Sequence, residues 1–281
     1  MHRIRFLAAS LVVIAAACSG NDSGTTPVVT GTDDALITSD LANVAADGVA
    51  EDVDVMTGMD GSVGNISASM AAPAGAFASL GRSNNFRPGL TGCTFANGSF
   101  TCPAVTRNGL TATRTITFFD ATGATQSAYD SLLTASIHLV ADLSGSVTRG
   151  NWTADVSRHR DLTFTGLAGD ETTRTVDGTG SETNSDSRVT RRDSTRTYTV
   201  TGASVITGVV LPVKSNGGNG FPTAGTITRT YTITVTSGPD SGRTVTRTVT
   251  ITFDGTSNAV ASINGSQFTI DCVAHTATPR G

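Results

Sequence analysis

A chain of 281 residues, 38% hydrophobic and 15% charged, can bury a real core as one β domain with extensions or as two small domains. Aromatic residues make up only 5%, so the core must rest on Val, Ile, Leu and Ala, with few large side chains left to cage a ligand. A formal net charge of −4 and no lysine-rich tract exclude an electrostatic case for nucleic acid.

In chain order, His2, Arg3 and Arg5 form a short basic region, and Phe6 to Ala17 an apolar run too short to span a bilayer as a helix. The run ends in Ala15-Ala16-Ala17-Cys18, followed by Ser19-Gly20-Asn21. This resembles a bacterial lipoprotein signal peptide with its lipobox, although Ala15 stands where leucine is commoner. The resemblance covers only these first residues. It implies a signal peptide over 1–17, cleavage before Cys18, and a diacylglycerol thioether with an N-acyl chain on that cysteine. Several acyl chains anchor stably where one would be marginal. Ser19 resembles the pattern of outer-membrane sorting, so the expected location is exported and membrane-anchored, in the outer membrane. Cleavage would remove Arg3 and Arg5 and no acid, leaving 17 basic against 23 acidic residues, a net −6.

Residues 18–36 read as anchor and flexible linker, too rich in Gly, Ser and Thr to pack. Residues 37–90 read as a helix followed by an Ala/Gly-rich connection. Ser39 is positioned to cap a helix running to about Met59, with Leu41, Val44, Ala45, Val49, Val53 and Met56 near helical spacing and Asp40 in the first turn. Gly48 weakens it. Asp52, Asp54 and Asp60 invite a calcium loop, but the required order fails at Met56, and a solvated acidic helix face is the simpler expectation. A short helix is expected around Ile66 to Met70.

Residues 91–281 read as an antiparallel β domain. In C-T-F-A-N-G-S-F-T-C, Asn97-Gly98 is the preferred two-residue type I′ turn. Counting outward pairs Ala96 with Ser99, Phe95 with Phe100, Thr94 with Thr101 and Cys93 with Cys102. The cysteines then fall at a non-hydrogen-bonded pair, where side chains lie closest, and a disulfide suits an exported protein. Metal binding is the alternative, but no further Cys or His lies at ligand spacing. Cys272 shares a parity with Phe268 and Ile270, as a small buried hydrophobe would; no neighbouring base supports a reactive thiol.

Strand alternation follows over Thr111–Phe119, Ala135–Val147 and Trp152–Phe164. Glu171 to Thr197 is almost wholly polar and reads as strands projecting past the core or as mobile loops. Gly178 and Gly180 on one face would leave a groove floor for a ligand or an inserted side chain; simple strand weakening near an edge is the plainer account. Tyr198–Pro212 resumes strand character, and Lys214–Pro222 reads as a loop. Thr226 to Phe253 alternates threonine with Ile227, Arg229, Tyr231, Ile233 and Val235, then with Val245, Arg247, Val249, Ile251 and Phe253. The two apolar faces coincide only across an odd-length loop, of about five residues near Gly238 to Gly242. The same rule makes Asp254-Gly255-Thr256 a three-residue loop with Ile251 opposite Ala259. Asn264-Gly265 sets Ala261 opposite Phe268 and Ala259 opposite Ile270. Thr276 to Gly281 is expected to fray.

The predicted fold is therefore mainly β: an antiparallel meander forming a curved sheet or barrel, with one N-terminal helix packed on or near it. A membrane-spanning barrel is disfavoured because Arg229 and Arg247 sit mid-strand on the apolar parity. No nucleophile elbow, P-loop, zinc-protease or dinucleotide motif occurs, and no cofactor or metal is implied. His138, His159 and His275 are scattered, as surface or edge residues would be. The arginines are the one lead. Arg158, Arg160, Arg229 and Arg247, with Arg174, share the more apolar parity or its polar ends, and together they could hold a carboxylate or phosphate. The plainer alternative puts them at the sheet margin with stems packed and heads in water. The functional expectation is a non-catalytic surface-binding or structural module of the cell envelope, with a carrier of a lipid or other apolar ligand in a half-open barrel as the alternative.

Overall fold

The computed structural model describes residues 31–58, 90, 92–107, 109–130, 132–149, 152–168, 172–189, 195–212 and 220–280. The signal peptide, Cys18, Asp60 and the expected helix around Ile66 to Met70 lie outside the described residues, as does most of the Lys214–Pro222 loop.

Among the described residues, one helix, α1 (Gly31–Gly58), precedes thirteen strands. These are β1 (Thr94–Ala96), β2 (Ser99–Arg107), β3 (Leu110–Asp120), β4 (Thr125–Gln126), β5 (Thr134–Arg149), β6 (Trp152–Thr165), β7 (Thr173–Val189), β8 (Thr195–Pro212), β9 (Ala224–Ser237), β10 (Thr244–Phe253), β11 (Asn258–Ile263), β12 (Ser266–Asp271) and β13 (Thr276–Pro279). Every pairing is antiparallel and joins neighbours along the chain, except that β4 is a side branch on β3. The result is one curved meander that does not close.

The helix lies in the concave face. Every residue from Val44 to Val53 is buried, so apolar and charged positions alike are enclosed. Ala42, Ala45, Ala46, Gly48 and Ala50 keep the helix thin enough for the sheet to wrap it. It packs with Ile137, Leu139, Leu162, Phe164, Val200, Ile227, Ile233, Val249, Ile251, Ile263 and Ile270 in one core. A smaller cluster of Leu110, Leu143, Ala154 and Val156 lies farther along β3, β5 and β6.

The short-range registers agree with the sequence. Ala96–Ser99, Phe95–Phe100 and Thr94–Thr101 pair around Asn97 (φ 52°) and Gly98 (φ 82°). Ala259–Ile270 and Ala261–Phe268 pair around Asn264-Gly265. Between β9 and β10, Val235 N–H donates to Arg243 O (2.9 Å), leaving the seven residues 236–242 as the loop, longer than expected but odd as parity requires.

Other expectations are corrected. The helix begins at Gly31, not at a Ser39 cap, and so takes in the end of the expected linker. Ser39 sits inside it, its carbonyl accepting from Asn43 Nδ2 (3.0 Å). Ile251 pairs with Ala261 rather than Ala259, because the Asp254 carboxylate accepts from Thr256 N–H (3.0 Å) and Oγ1 (2.7 Å), and Thr256 Oγ1 in turn accepts from Asn258 N–H (3.2 Å), lengthening the loop to residues 254–258. The polar stretch around Glu182 is neither a projecting strand nor an edge: β7 pairs along its length between β6 and β8. The C-terminal residues are not frayed, since Thr276–Pro279 form β13 on β12 and Arg280 N–H donates to Gln267 O (2.9 Å).

Cys93 and Cys102 stand at disulfide distance, beside the packed rings of Phe95, Phe100 and Phe118. Replacing both cysteines by serine should lower stability by about 2–3 kcal/mol, the value for a closed loop of this size, as read by urea unfolding under oxidising conditions. The same variant should match the parent when both are unfolded with reductant present.

Candidate functional site

Midway along the helix, Asp47, Gly48, Glu51 and Asp52 are spaced i, i+1, i+4 and i+5, which puts them on one helical face. Facing them, the register of β6 to β9 lines up two rows across the concave side. One row runs Arg158–Glu182–Gly202–Tyr231, and the other Arg160–Gly180–Ser204–Arg229. Three guanidinium groups thus meet four carboxylates, all buried.

Arg158 donates from Nη2 to Asp47 Oδ2 (3.0 Å) and from Nη1 to Glu51 Oε2, and its Nε stands 3.2 Å from Glu182 Oε2. Arg160 Nε donates to Asp52 Oδ1 (2.5 Å), and its Nη1 to the carbonyls of His159 (2.9 Å) and Ser181 (3.3 Å). Arg229 Nη1 donates to Glu182 Oε1 (2.6 Å), while its Nη2 reaches Asp52 Oδ2 and the Gly48 carbonyl (3.0 Å). His275, in the turn between β12 and β13, brings Nδ1 to 3.1 Å from Asp47 Oδ1.

The glycines make this approach possible. A Cβ on Gly48 would stand 2.8 Å from Arg229 Nη1; one on Gly180 would meet Arg160 Cδ and Nη1 at 2.9 Å; one on Gly202 would meet the Tyr231 ring at 2.9 Å. Gly180 is therefore the floor for an inserted side chain, not a weak point near an edge. The glycine that counts against a helix on propensity is the position where a guanidinium lies against its backbone.

Burial and charge set the protonation behaviour. Burial would raise the Glu182 carboxyl, but Arg229, Arg158 and Arg160 outweigh it and hold it down at about 2. Burial raises Glu51, and the attraction of Arg158 and Arg160, opposed by Asp47 and Asp52, does not cancel that rise. Burial would lower Arg158 and Arg229, yet their acidic partners hold both above the ordinary range.

The sequence lead on the arginines is thus redrawn. Arg158, Arg160 and Arg229 do come together and do hold carboxylates, but those of their own helix, and at 7%, 4% and 1% exposure they are not at a sheet margin. Arg247 lies beside them on β10, opposite Tyr231, with Nη1 on Thr246 O (3.0 Å). The expected solvated acidic helix face is likewise corrected, since Asp52 is 1% exposed and ion-paired. His275 is enclosed rather than on the surface, whereas His138 and His159 do lie on the outer face, 2.7 Å from Asp161 and 2.8 Å from Asp142. Asp142, His159 and Ser181 are successive partners across β5, β6 and β7, but on an open face and with no hydrogen bond from His159 to Ser181. Cys272 is buried, its thiol pushed up to about 12 by burial and by Asp271 and Asp54. No cluster of His, Cys, Asp or Glu suited to a metal ion occurs among the described residues.

Beside the network a cleft opens to solvent between Glu51 and Val55 of the helix and Pro103, Ala112, Arg114 and Leu143 of the sheet. Its volume of about 30 Å³ admits a few waters at most. Ligand pockets of ordinary size are roughly 300–1,000 Å³. The chain matches no protein-family model, no curated protein and no solved structure.

Glu182→Gln should cost about 3–5 kcal/mol at neutral pH by urea unfolding, because it strips a buried partner from Arg158 and Arg229. In the parent, Glu182 contributes stability above the ordinary Glu pKa, and that contribution is lost as pH falls towards about 2. Glu51 has the opposite sign: its raised pKa favours the folded state below the ordinary value, and that is lost as pH rises through the raised one. Glu51→Gln should therefore flatten the fall in stability as pH rises above the ordinary Glu value, without the loss expected at Glu182. Separately, Gly48→Ala should reduce stability despite a helix-propensity gain of about 1 kcal/mol, read as a lower urea midpoint at unchanged slope.

Proposed function

We propose that this protein is an exported, lipid-anchored β module of the bacterial cell envelope, acting through its outer surface rather than by catalysis or by enclosing a ligand. One observation carries the second half of that reading. The concave face, where a half-open barrel would take an apolar guest, is filled by the chain's own helix, and its arginines are already matched by that helix. A carrier would have to expel the helix and leave Arg158, Arg160 and Arg229 facing an apolar guest without counter-charge, which is costly. The anchor rests on the N-terminal resemblance centred on Cys18. The 12 residues between Cys18 and the helix could hold the domain up to about 40 Å from the lipid surface.

The test is expression of the full chain in a two-membrane bacterium fed a clickable palmitate analogue. Label on the protein, its recovery in the outer-membrane fraction and loss of both in Cys18→Ser are expected. An unlabelled, soluble wild type would refute the anchor. Native mass spectrometry of the detergent-released protein should show the lipidated chain alone; a co-purified apolar molecule freed on denaturation would replace the surface reading with the carrier.

A further inference from the structure

The ionic network has a counterpart on the other side of the same strands. The outward residues of β7 to β10 stand in register in four rows: Ser185–Thr199–Thr234–Thr244, Thr183–Thr201–Thr232–Thr246, Ser181–Ala203–Thr230–Thr248 and Thr179–Val205–Thr228–Thr250. All are exposed or half-buried, none is charged, and all carry a hydroxyl except Ala203 and Val205. The charged side chains described on these strands lie on the opposite face (Arg174, Glu182, Arg196, Arg229 and Arg247), with Asp177 at the patch margin as the exception. Hydroxyls along the rows engage one another, Thr234 with Thr244 at 3.0 Å and Thr232 with Thr246 at 3.4 Å. β-Branched side chains are stiff at χ1, so the hydroxyls and methyls keep fixed places, roughly 4.8 Å apart between strands and roughly 7 Å along them.

We infer that this face is a docking surface for neutral, hydroxyl-rich polysaccharide chains. The inference builds on the envelope reading and names its partner. A surface without charge complements a ligand without charge: it offers anionic lipid or nucleic acid nothing, and it imposes no desolvated ion on a neutral glycan. Each threonine both donates and accepts, as a sugar hydroxyl does, and its methyl covers the apolar face of a sugar ring. The face has no Trp, Tyr or Arg anchor of the kind that concentrates affinity in protein–protein contacts. The curved sheet disfavours a flat crystalline surface, whereas a flexible chain can follow the rows. Without an aromatic platform each contact is weak, and retention comes from many contacts along one polymer.

The experiment uses the full chain, in detergent where membrane-associated, passed over beads carrying dextran, galactomannan or xylan, with a carboxylated dextran as the charged control. Retention on at least one neutral polymer is expected, equal at low and high salt. Thr232→Lys, at the centre of the face, should weaken it at least about tenfold, the effect of an ion desolvated against a neutral ligand. Thr269→Lys, on the outer face of β12 beyond the rows, should leave it unchanged, and circular dichroism of both variants should match the parent. No retention on any neutral polymer, retention untouched by Thr232→Lys, or salt-sensitive retention on the carboxylated dextran alone would overturn the inference. So would a dimer in light scattering that Thr232→Lys dissolves, since the face would then bind a second copy. A palmitate-labelled protein that is not retained would sink this inference and leave the anchor standing; a retained but unlabelled protein would do the reverse.

Discussion

Three guanidinium groups and four carboxylates are buried together at the middle of the helix. Each ion there has lost most of its hydration, and only well-placed partners restore that loss. The Ala- and Val-rich helix could otherwise rotate or slide within an apolar trough at modest cost. Pairing Asp52 with both Arg160 and Arg229, and Arg158 with Asp47, Glu51 and Glu182, admits a single depth and a single rotation. The strand register is tied to the same event, because Glu182 of β7 must lie between Arg158 of β6 and Arg229 of β9.

The remainder of the concave face adapts to that constraint. Gly180 and Gly202 give up side chains so that Arg160 and Tyr231 can lie across the sheet, and Gly48 gives up its own so that Arg229 can reach the helix backbone. In the N-terminal half of the helix other polar tethers take over. Tyr198 donates to Asp40 (2.5 Å), and one turn on Asn43 accepts from Ala277 N–H (3.4 Å) on β13. The sheet thereby grips its helix from β6 round to β13 without closing edge to edge.

Charge turned inward leaves hydroxyls outside. Threonine suits both demands on the outward positions: it is β-branched, which favours the pleated strand, and it stays solvated without an ion. The alternation that specifies the strands also produces a neutral outer face, and the two properties come from one residue choice. The His–Asp pairs on β5 and β6 mark where that neutral face gives way to ordinary charged surface.

Much of the sheet was legible because its signals are local. Asn97-Gly98 and Asn264-Gly265 dictate their hairpins within a few residues, and parity carries the apolar face of β9 to β12 across each turn. Where a loop's own hydrogen bonds decide its length, as at Asp254–Asn258, parity held and register did not. The inward face of β7 was unreadable as core, because Gly180, Glu182 and Asn184 resemble interior residues only once Arg158, Arg160 and Arg229 are seen against them. The acids of the helix misled for the same reason. A spacing of Asp47, Glu51 and Asp52 on one helical face says that charge is gathered there and leaves open whether water or arginine meets it.

What the sequence determined by itself is the alternation of the strands, the hairpins at Asn97-Gly98 and Asn264-Gly265, the Cys93–Cys102 pairing and a helix ahead of the sheet. Each follows from chain geometry over about ten residues. The tertiary structure alone decided that the helix fills the concave face and that its acids neutralise the sheet's arginines. Those partners stand 107 residues apart for Glu51 and Arg158 and 177 for Asp52 and Arg229. Charge compensation depends on which surfaces meet in space, and periodicity along the chain carries no record of that.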